Sequence, residues 1–148
     1  GQQGRMVFLK DTCCDYELVR ERQAAVEGTP LKIFNANAQS WFDSVCHGAA
    51  GYSGVMANFH PDLYKWCFDH KDTDYDKARL VADFLTTAAM IEMRAYPVSA
   101  KYHQNLVDVP MSLVTRSADA AKLDKNARGE VESLIAMENY VRKQLGIL

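Results

Sequence analysis

The sequence predicts an α/β chain built on a parallel sheet, and three observations predict it. Apolar or small-residue runs at Val7-Phe8-Leu9-Lys10, Leu31-Lys32-Ile33-Phe34 and Ala49-Ala50-Gly51-Tyr52-Ser53-Gly54-Val55-Met56 each suit a strand. Helical patterns separate them at about twenty residues per unit, the spacing of right-handed crossovers between parallel strands. Polar residues gather where those strands finish: Lys10, Asn35, Asn37 and Asn58 lie at or just past the C-terminal ends. In parallel sheets that is the end where ligands bind.

The elements follow in order. Three apolar residues before Lys10 predict a strand buried on both faces. Asp15 is an N-cap for a first helix, in which Leu18, Val19, Ala25 and Val26 recur at helical spacing. Gly28 is expected just past its end, and Pro30 blocks continuation. A second strand runs through Leu31-Lys32-Ile33-Phe34-Asn35, and Asn35-Ala36-Asn37 makes a polar turn. A second helix is expected over 38–47, a third strand over 49–56, and a third helix from Pro61, its favoured first position. The rest reads as helical: 72 or 74 to about 94, then 99–107, a short piece at 119–125, and 126–145. Pro97 and Pro110 punctuate it.

At 148 residues the chain is long enough for one domain with a real core. A net charge of −2 gives no electrostatic reason to expect nucleic acid or an anionic membrane as partner. No apolar run approaches a membrane span, and no secretory signal pattern is present. Cys13, Cys14, Cys46 and Cys67 fit no zinc spacing, so reduced thiols in a cytoplasmic protein are expected. His47, His60, His70 and His103 form no i, i+4 pair, so neither a metal site nor a cofactor is expected.

Lys10 carries the chemical argument. Burying an ammonium without a partner costs several kcal/mol and favours the neutral amine. A neutral lysine attacks carbonyl carbons, so the strand-end lysine is a candidate Schiff-base nucleophile. Each other candidate also has a structural role open to it. Thr12 suits a turn cap, and Asn35 and Asn37 suit turn formation. Asn58 suits the loop before the Pro61 helix, and His60 suits the entry to it. Gly51 and Gly54 suit close backbone approach, while Tyr64, Trp66 and Tyr96 suit packing.

Three parallel strands leave two open edges and do not close a domain. The pattern matches the last three units of an eight-fold (β/α)8 barrel, strands 6–8, in residues 1–71, with a C-terminal helical extension in 72–148. On this reading five earlier units precede Gly1, or come from a second chain, or the remnant stabilises itself by association; the N-terminal half of the barrel is an expected partner of this one.

The motifs Val7-Phe8-Leu9-Lys10-Asp11-Thr12, Asn35-Ala36-Asn37 and Gly48-Ala49-Ala50-Gly51-Tyr52-Ser53-Gly54-Val55-Met56-Ala57-Asn58 resemble the C-terminal part of the dihydrodipicolinate synthase and N-acetylneuraminate lyase superfamily. The resemblance implies that Lys10 is the Schiff-base lysine of the sixth strand. It implies that Thr12 contacts substrate, that Ser53 offers a backbone carbonyl near the lysine, and that Asn37 stands where the lyases carry an acidic substrate-binding residue; Asn35 and Asn58 are candidate substrate contacts by their place at the strand ends. Ala36, Asn37 and Ala38 depart from the family, which usually has Gly and then acidic residues there. Those departures argue against sialic acid as substrate and against a standard lysine-pathway synthase. The family's carboxylate-binding Gly-Thr-Thr turn and its proton-relaying tyrosine lie on earlier strands.

The expectation is therefore a lyase of the class I aldolase type, or a dehydratase of the same chemistry, acting on pyruvate or another 2-oxo acid. This chain alone is expected to be inactive, because half of the site lies elsewhere. The alternatives are a non-catalytic 2-oxo-acid-binding member of the fold and an inactive C-terminal fragment. The resemblance also implies homotetramers.

Overall fold

A computed structural model describes residues 4–147. Three strands, β1 (Phe8–Asp11), β2 (Lys32–Asn35) and β3 (Gly51–Tyr52), form a parallel sheet in the order β1-β2-β3. Helices α1 (Tyr16–Ala25) and α2 (Trp41–Cys46) make the two crossovers. Four further helices complete the chain: α3 (Pro61–His70), α4 (Tyr75–Ala88), α5 (Val98–Leu106) and α6 (Lys125–Leu145). The α/β alternation is as expected, and several boundaries move for local reasons.

Helix α1 begins where the sequence places it, because the Asp15 carboxylate accepts the Leu18 N–H at 3.1 Å. It ends at Ala25, earlier than Gly28 suggested; Gly28 sits in the following turn with φ of +74°. Helix α2 starts three residues late. The Asn37 side chain accepts from both Ser40 N (3.0 Å) and Ser40 Oγ (2.8 Å), which holds 37–40 in a turn. The third strand is much shorter than 49–56. Its last ladder bond runs from Ser53 N to Asn35 O at 2.8 Å, and Val55–Asn58 then winds into a 3-10 turn. Helix α4 gives way to 3-10 geometry over Ala89–Met93, where the Ala89 N–H is shared between two carbonyls.

The largest correction concerns β1. It was expected to be buried on both faces, yet Val7 is 59% and Phe8 52% exposed, and Lys10 is exposed too. The sheet is covered by helices on one side only. Val19 of α1 and Ile33 of β2 are buried on that side. The opposite side is open among the described residues, so burial that would favour a neutral Lys10 is not supplied by this chain.

Away from the sheet the larger of two buried apolar clusters joins the helices, and a smaller one gathers Val98, Leu123 and Ala127. Trp41, Phe42 and Val45 of α2 meet Leu63 and Cys67 of α3, Val81 and Leu85 of α4, and Val131 and Leu134 of α6. The helices after residue 71 thus share their core with the strand-helix units before it. No helix among the described residues is long and apolar enough to cross a membrane.

Candidate functional site

Strand alternation sorts the site residues onto two faces. Lys10 pairs with Phe34, and Phe34 with Gly51, so these three lie in one row on the open face. Phe8 joins them: its ring centroid is 4.7 Å from that of Phe34. Phe34 also leans over Gly51, where a Cβ would lie 3.0 Å from the ring. Two strand spacings, about 10 Å, separate Lys10 from Gly51 across this aromatic floor. Phe8 and Phe34 were not anticipated as site residues. Their signal was present in the alternation Phe8, Lys10 against Lys32, Phe34.

Asp11 lies on the other face, next in sequence to Lys10 but turned away from it. Its side chain is buried and accepts two bonds of 2.7 Å from Arg22 and one of 2.9 Å from Cys13 N. Burial alone would raise its pKa; the Arg22 and Cys13 bonds outweigh that and hold the carboxyl below its ordinary value. The carboxylate beside the lysine therefore ties β1 to α1.

Asn35, paired with Asp11, also lies on the helix face. It is buried, its amide donates to Ser40 Oγ (3.0 Å) and Ser44 Oγ (3.1 Å), and its carbonyl accepts from Asn37 N (2.8 Å). Every polar atom of its side chain is engaged in shaping the turn before α2. Asn37 is half-buried; its carbonyl holds Ser40 and its amide donates to Gln39 at 2.7 Å. Thr12 is exposed immediately past β1, and its carbonyl faces the Cys14 thiol at 3.6 Å.

At the end of β3 the backbone is crowded. A Cβ on Gly54 would stand 2.1 Å from the Tyr52 hydroxyl and 2.4 Å from the Ala36 carbonyl. Tyr52 stacks flat on Tyr64 with centroids 4.0 Å apart, and Trp41 packs against both. A cleft of about 280 Å³ runs along this edge, lined by Phe34, Gly51, Tyr52, Pro61, Tyr64 and Phe68. Asn58 is exposed, and its amide donates to Val55 O (2.9 Å) and Tyr96 Oη (3.4 Å).

Cys13 and Cys67 offer no competing nucleophile. All four are free, and burial pushes Cys67 up to about 12. Burial, and then the adjacent Asp11, raise Cys13 as well. A thiol so placed stays protonated at neutral pH.

One polar cluster escaped the sequence reading. His60, His103 and Glu138 are all fully buried. Glu138 Oε1 lies 2.7 Å from His60 Nδ1, and its two oxygens lie 3.1 and 3.0 Å from His103 Nε2. Arg142 donates to Glu138 at 3.3 Å and to Asp62 at 2.6 and 3.0 Å. Burial opposes ionisation of Glu138; the His103 and His60 bonds overcome it and bring the carboxyl down to about 2. An ionised carboxylate only accepts, so both imidazoles donate to it. A search for histidines one helical turn apart misses residues joined only by folding. Among the described residues no group of side chains is placed to hold a metal ion.

No protein-family model matches the sequence, and no curated protein matches it by sequence. Solved structures do match it in fold. YagE, a prophage protein of the dihydrodipicolinic acid synthase family from E. coli K12 in complex with pyruvate, superposes with a TM-score of 0.76 at 19% identity, over 90% of this chain and 46% of its own. A monomeric dihydrodipicolinate synthase variant gives 0.74 at 16% identity, over 96% of this chain and 46% of its own. A further dihydrodipicolinate synthase gives 0.67 at 17% identity, over 95% and 46%. The chain thus has an α/β fold matching the C-terminal half of dihydrodipicolinate synthase-family structures. It spans about half the length of the proteins it matches.

Proposed function

We propose that this chain is the lysine-bearing half of a Schiff-base lyase acting on pyruvate or another 2-oxo acid. Residues 1–71 would be strands 6–8 of a (β/α)8 barrel with their helices, and residues 72–148 its helical extension. The observation that carries the proposal is the row Lys10–Phe34–Gly51, which sets an amine on the open face of a parallel sheet near the C-terminal strand ends. The matched YagE structure holds pyruvate, which favours a 2-oxo acid as ligand. In a closed barrel the open face would turn inward, and the remaining strands would bury Lys10 above the Phe8–Phe34 floor.

The chemistry follows from the amine. Neutral Lys10 Nζ attacks the keto carbon, and the carbinolamine loses water to give a protonated imine. The imine nitrogen accepts the electron pair released when the adjacent carbon loses a proton or a carbon–carbon bond breaks. The resulting enamine adds to an electrophile or is protonated, and hydrolysis of the imine frees the lysine. No metal or other cofactor enters these steps. Thr12, Asn37, Ser53 and Asn58 would border the substrate at the strand ends.

The exposure of Lys10 supports a second statement: as an isolated half the chain should turn over little. The donors for the substrate carboxylate and the acid/base group would come from the first five barrel units. Pairing with that half, and self-association into an oligomer in the cytoplasm, complete the proposal.

Borohydride trapping tests it. The protein containing the barrel's first half is reduced in the presence of pyruvate, and its peptides are weighed. A reduced pyruvate adduct on the peptide carrying Lys10 is expected, persisting in Lys32→Ala, which removes a neighbouring lysine of the same face, and lost in Lys10→Arg. An unmodified Lys10 peptide in the unsubstituted protein would overturn the proposal.

A further inference from the structure

The segment that follows β3 is held from outside the barrel units. Three consecutive residues of it, Asn58, Phe59 and His60, each meet a side chain from the region between α4 and the C-terminus. Asn58 donates its amide to Tyr96 Oη, and its backbone carbonyl accepts from Gln104 Nε2 of α5. Phe59 packs edge-on against the His103 ring, with centroids 5.0 Å apart. His60 donates to Glu138 of α6 at 2.7 Å. Glu138 is joined in turn to His103 and, through Arg142, to Asp62 in the first turn of α3. The last of these residues precedes Pro61, the start of α3, so the 3-10 turn Val55–Asn58 is anchored between β3 and this cluster.

We propose that Glu138 is a positioning residue for the site: through His60 it sets where the Val55–Asn58 turn stands beside the strand ends, and so how tightly a 2-oxo acid is held at Lys10. The inference rests on the Schiff-base reading for its ligand. A carboxylate is suited to the task because it accepts from two imidazoles at once, which fixes the relative placement of α5, α6 and the segment entering α3. Gln104 supplies a second, independent hold on the same turn. The C-terminal helices are then part of the site's framework, although no side chain on them belongs to the lysine face.

The test uses the full-length protein with Glu138→Gln, Glu138→Asp and Gln104→Ala. Glutamine keeps the size of Glu138 but cannot accept from two imidazoles and an arginine as the carboxylate does. All three variants are expected to raise the pyruvate concentration for half-maximal borohydride trapping, by up to about a hundredfold for Glu138→Gln, as misplacement of a site element does. The extent of trapping at saturating pyruvate should be unchanged, and amide exchange over 55–60 should quicken while that of β1 does not. Glu138→Asp keeps the charge but shortens the reach to both imidazoles, and it keeps the test informative if Glu138→Gln fails to fold. Unchanged half-trapping concentration and unchanged exchange over 55–60 in whichever of the two Glu138 variants folds would overturn the proposal. Absence of trapping in the unsubstituted protein overturns the Schiff-base reading alone, and the exchange over 55–60 then decides the positioning role.

Discussion

Gly54 has no room for a side chain, and the obstacle is partly backbone. A Cβ would lie 2.4 Å from the Ala36 carbonyl oxygen and 2.1 Å from the Tyr52 hydroxyl. Tyr52 is itself stacked on Tyr64 and packed edge-on against Trp41, contacts that a shift of its ring would disturb. Gly54→Ala is expected to cost about 1–3 kcal/mol, the range for overpacking a filled site, read as a lower urea midpoint. Asp11 makes a different prediction. Its carboxyl is held below its ordinary value by Arg22 and Cys13 acting against burial. A depressed folded-state pKa contributes stability above the unfolded value of about 3.8 and loses it as pH falls below that. Asp11→Asn should therefore destabilise at pH 7 by about 1–3 kcal/mol, and the difference should shrink toward pH 3. Urea midpoints at the two pH values check both the size and the sign.

At the scale of elements, α6 is the longest helix and carries Glu138. Its start is set by Asp124, whose carboxylate accepts the Ala127 N–H at 2.8 Å, and its end by Gly146 in the left-handed conformation at φ of +70°. Replacing Asp124 with Ala removes the partner of an otherwise orphaned donor and is expected to cost about 1 kcal/mol. Amide exchange should quicken in the first turn of α6 and leave the turn around Glu138 protected. The β1 strand behaves differently because one of its faces is uncovered among the described residues. Its one buried side chain, Asp11, is tethered to α1, while Val7, Phe8 and Lys10 face outward.

At the scale of the molecule, two features set its behaviour in solution. One is the open sheet face with Phe8 on it, next to the exposed Met6 and Val7 that precede the strand. Exposed apolar groups along an unpaired strand favour association. Sedimentation of the isolated chain should show mass rising with concentration, and Phe8→Lys should lower it. The other is the His60–Glu138–His103 cluster, which joins the segment entering α3 to α5 and α6. Glu138 titrates near 2 in the folded chain against 4.5 ordinarily. Its contribution is thus complete above pH 4.5 and is lost as pH falls from there toward 2. That amounts to about 3 kcal/mol of acid-sensitive stability by linkage. Acid titration of the far-UV signal checks it, with Glu138→Gln expected to flatten the response in that window.

Much of the fold was legible in the residues themselves. Strand runs, the Asp15 cap, Pro61 at a first helical position and the helical spacing of the later segments are local signals, and the elements formed near where they pointed. Those signals also set Lys10 at the end of a parallel strand, with the alternation that puts Phe34 on the same face. The tertiary structure decided what depends on contacts between distant residues. It turned Asn35 inward, because two serines on α2 offer its amide partners. It ended the third strand early, because Gly54 must pass beneath Tyr52 and Ala36. It brought His60, His103 and Glu138 together across gaps no periodicity spans. It also left Lys10 exposed, because among the described residues the helices cover only the other face of the sheet.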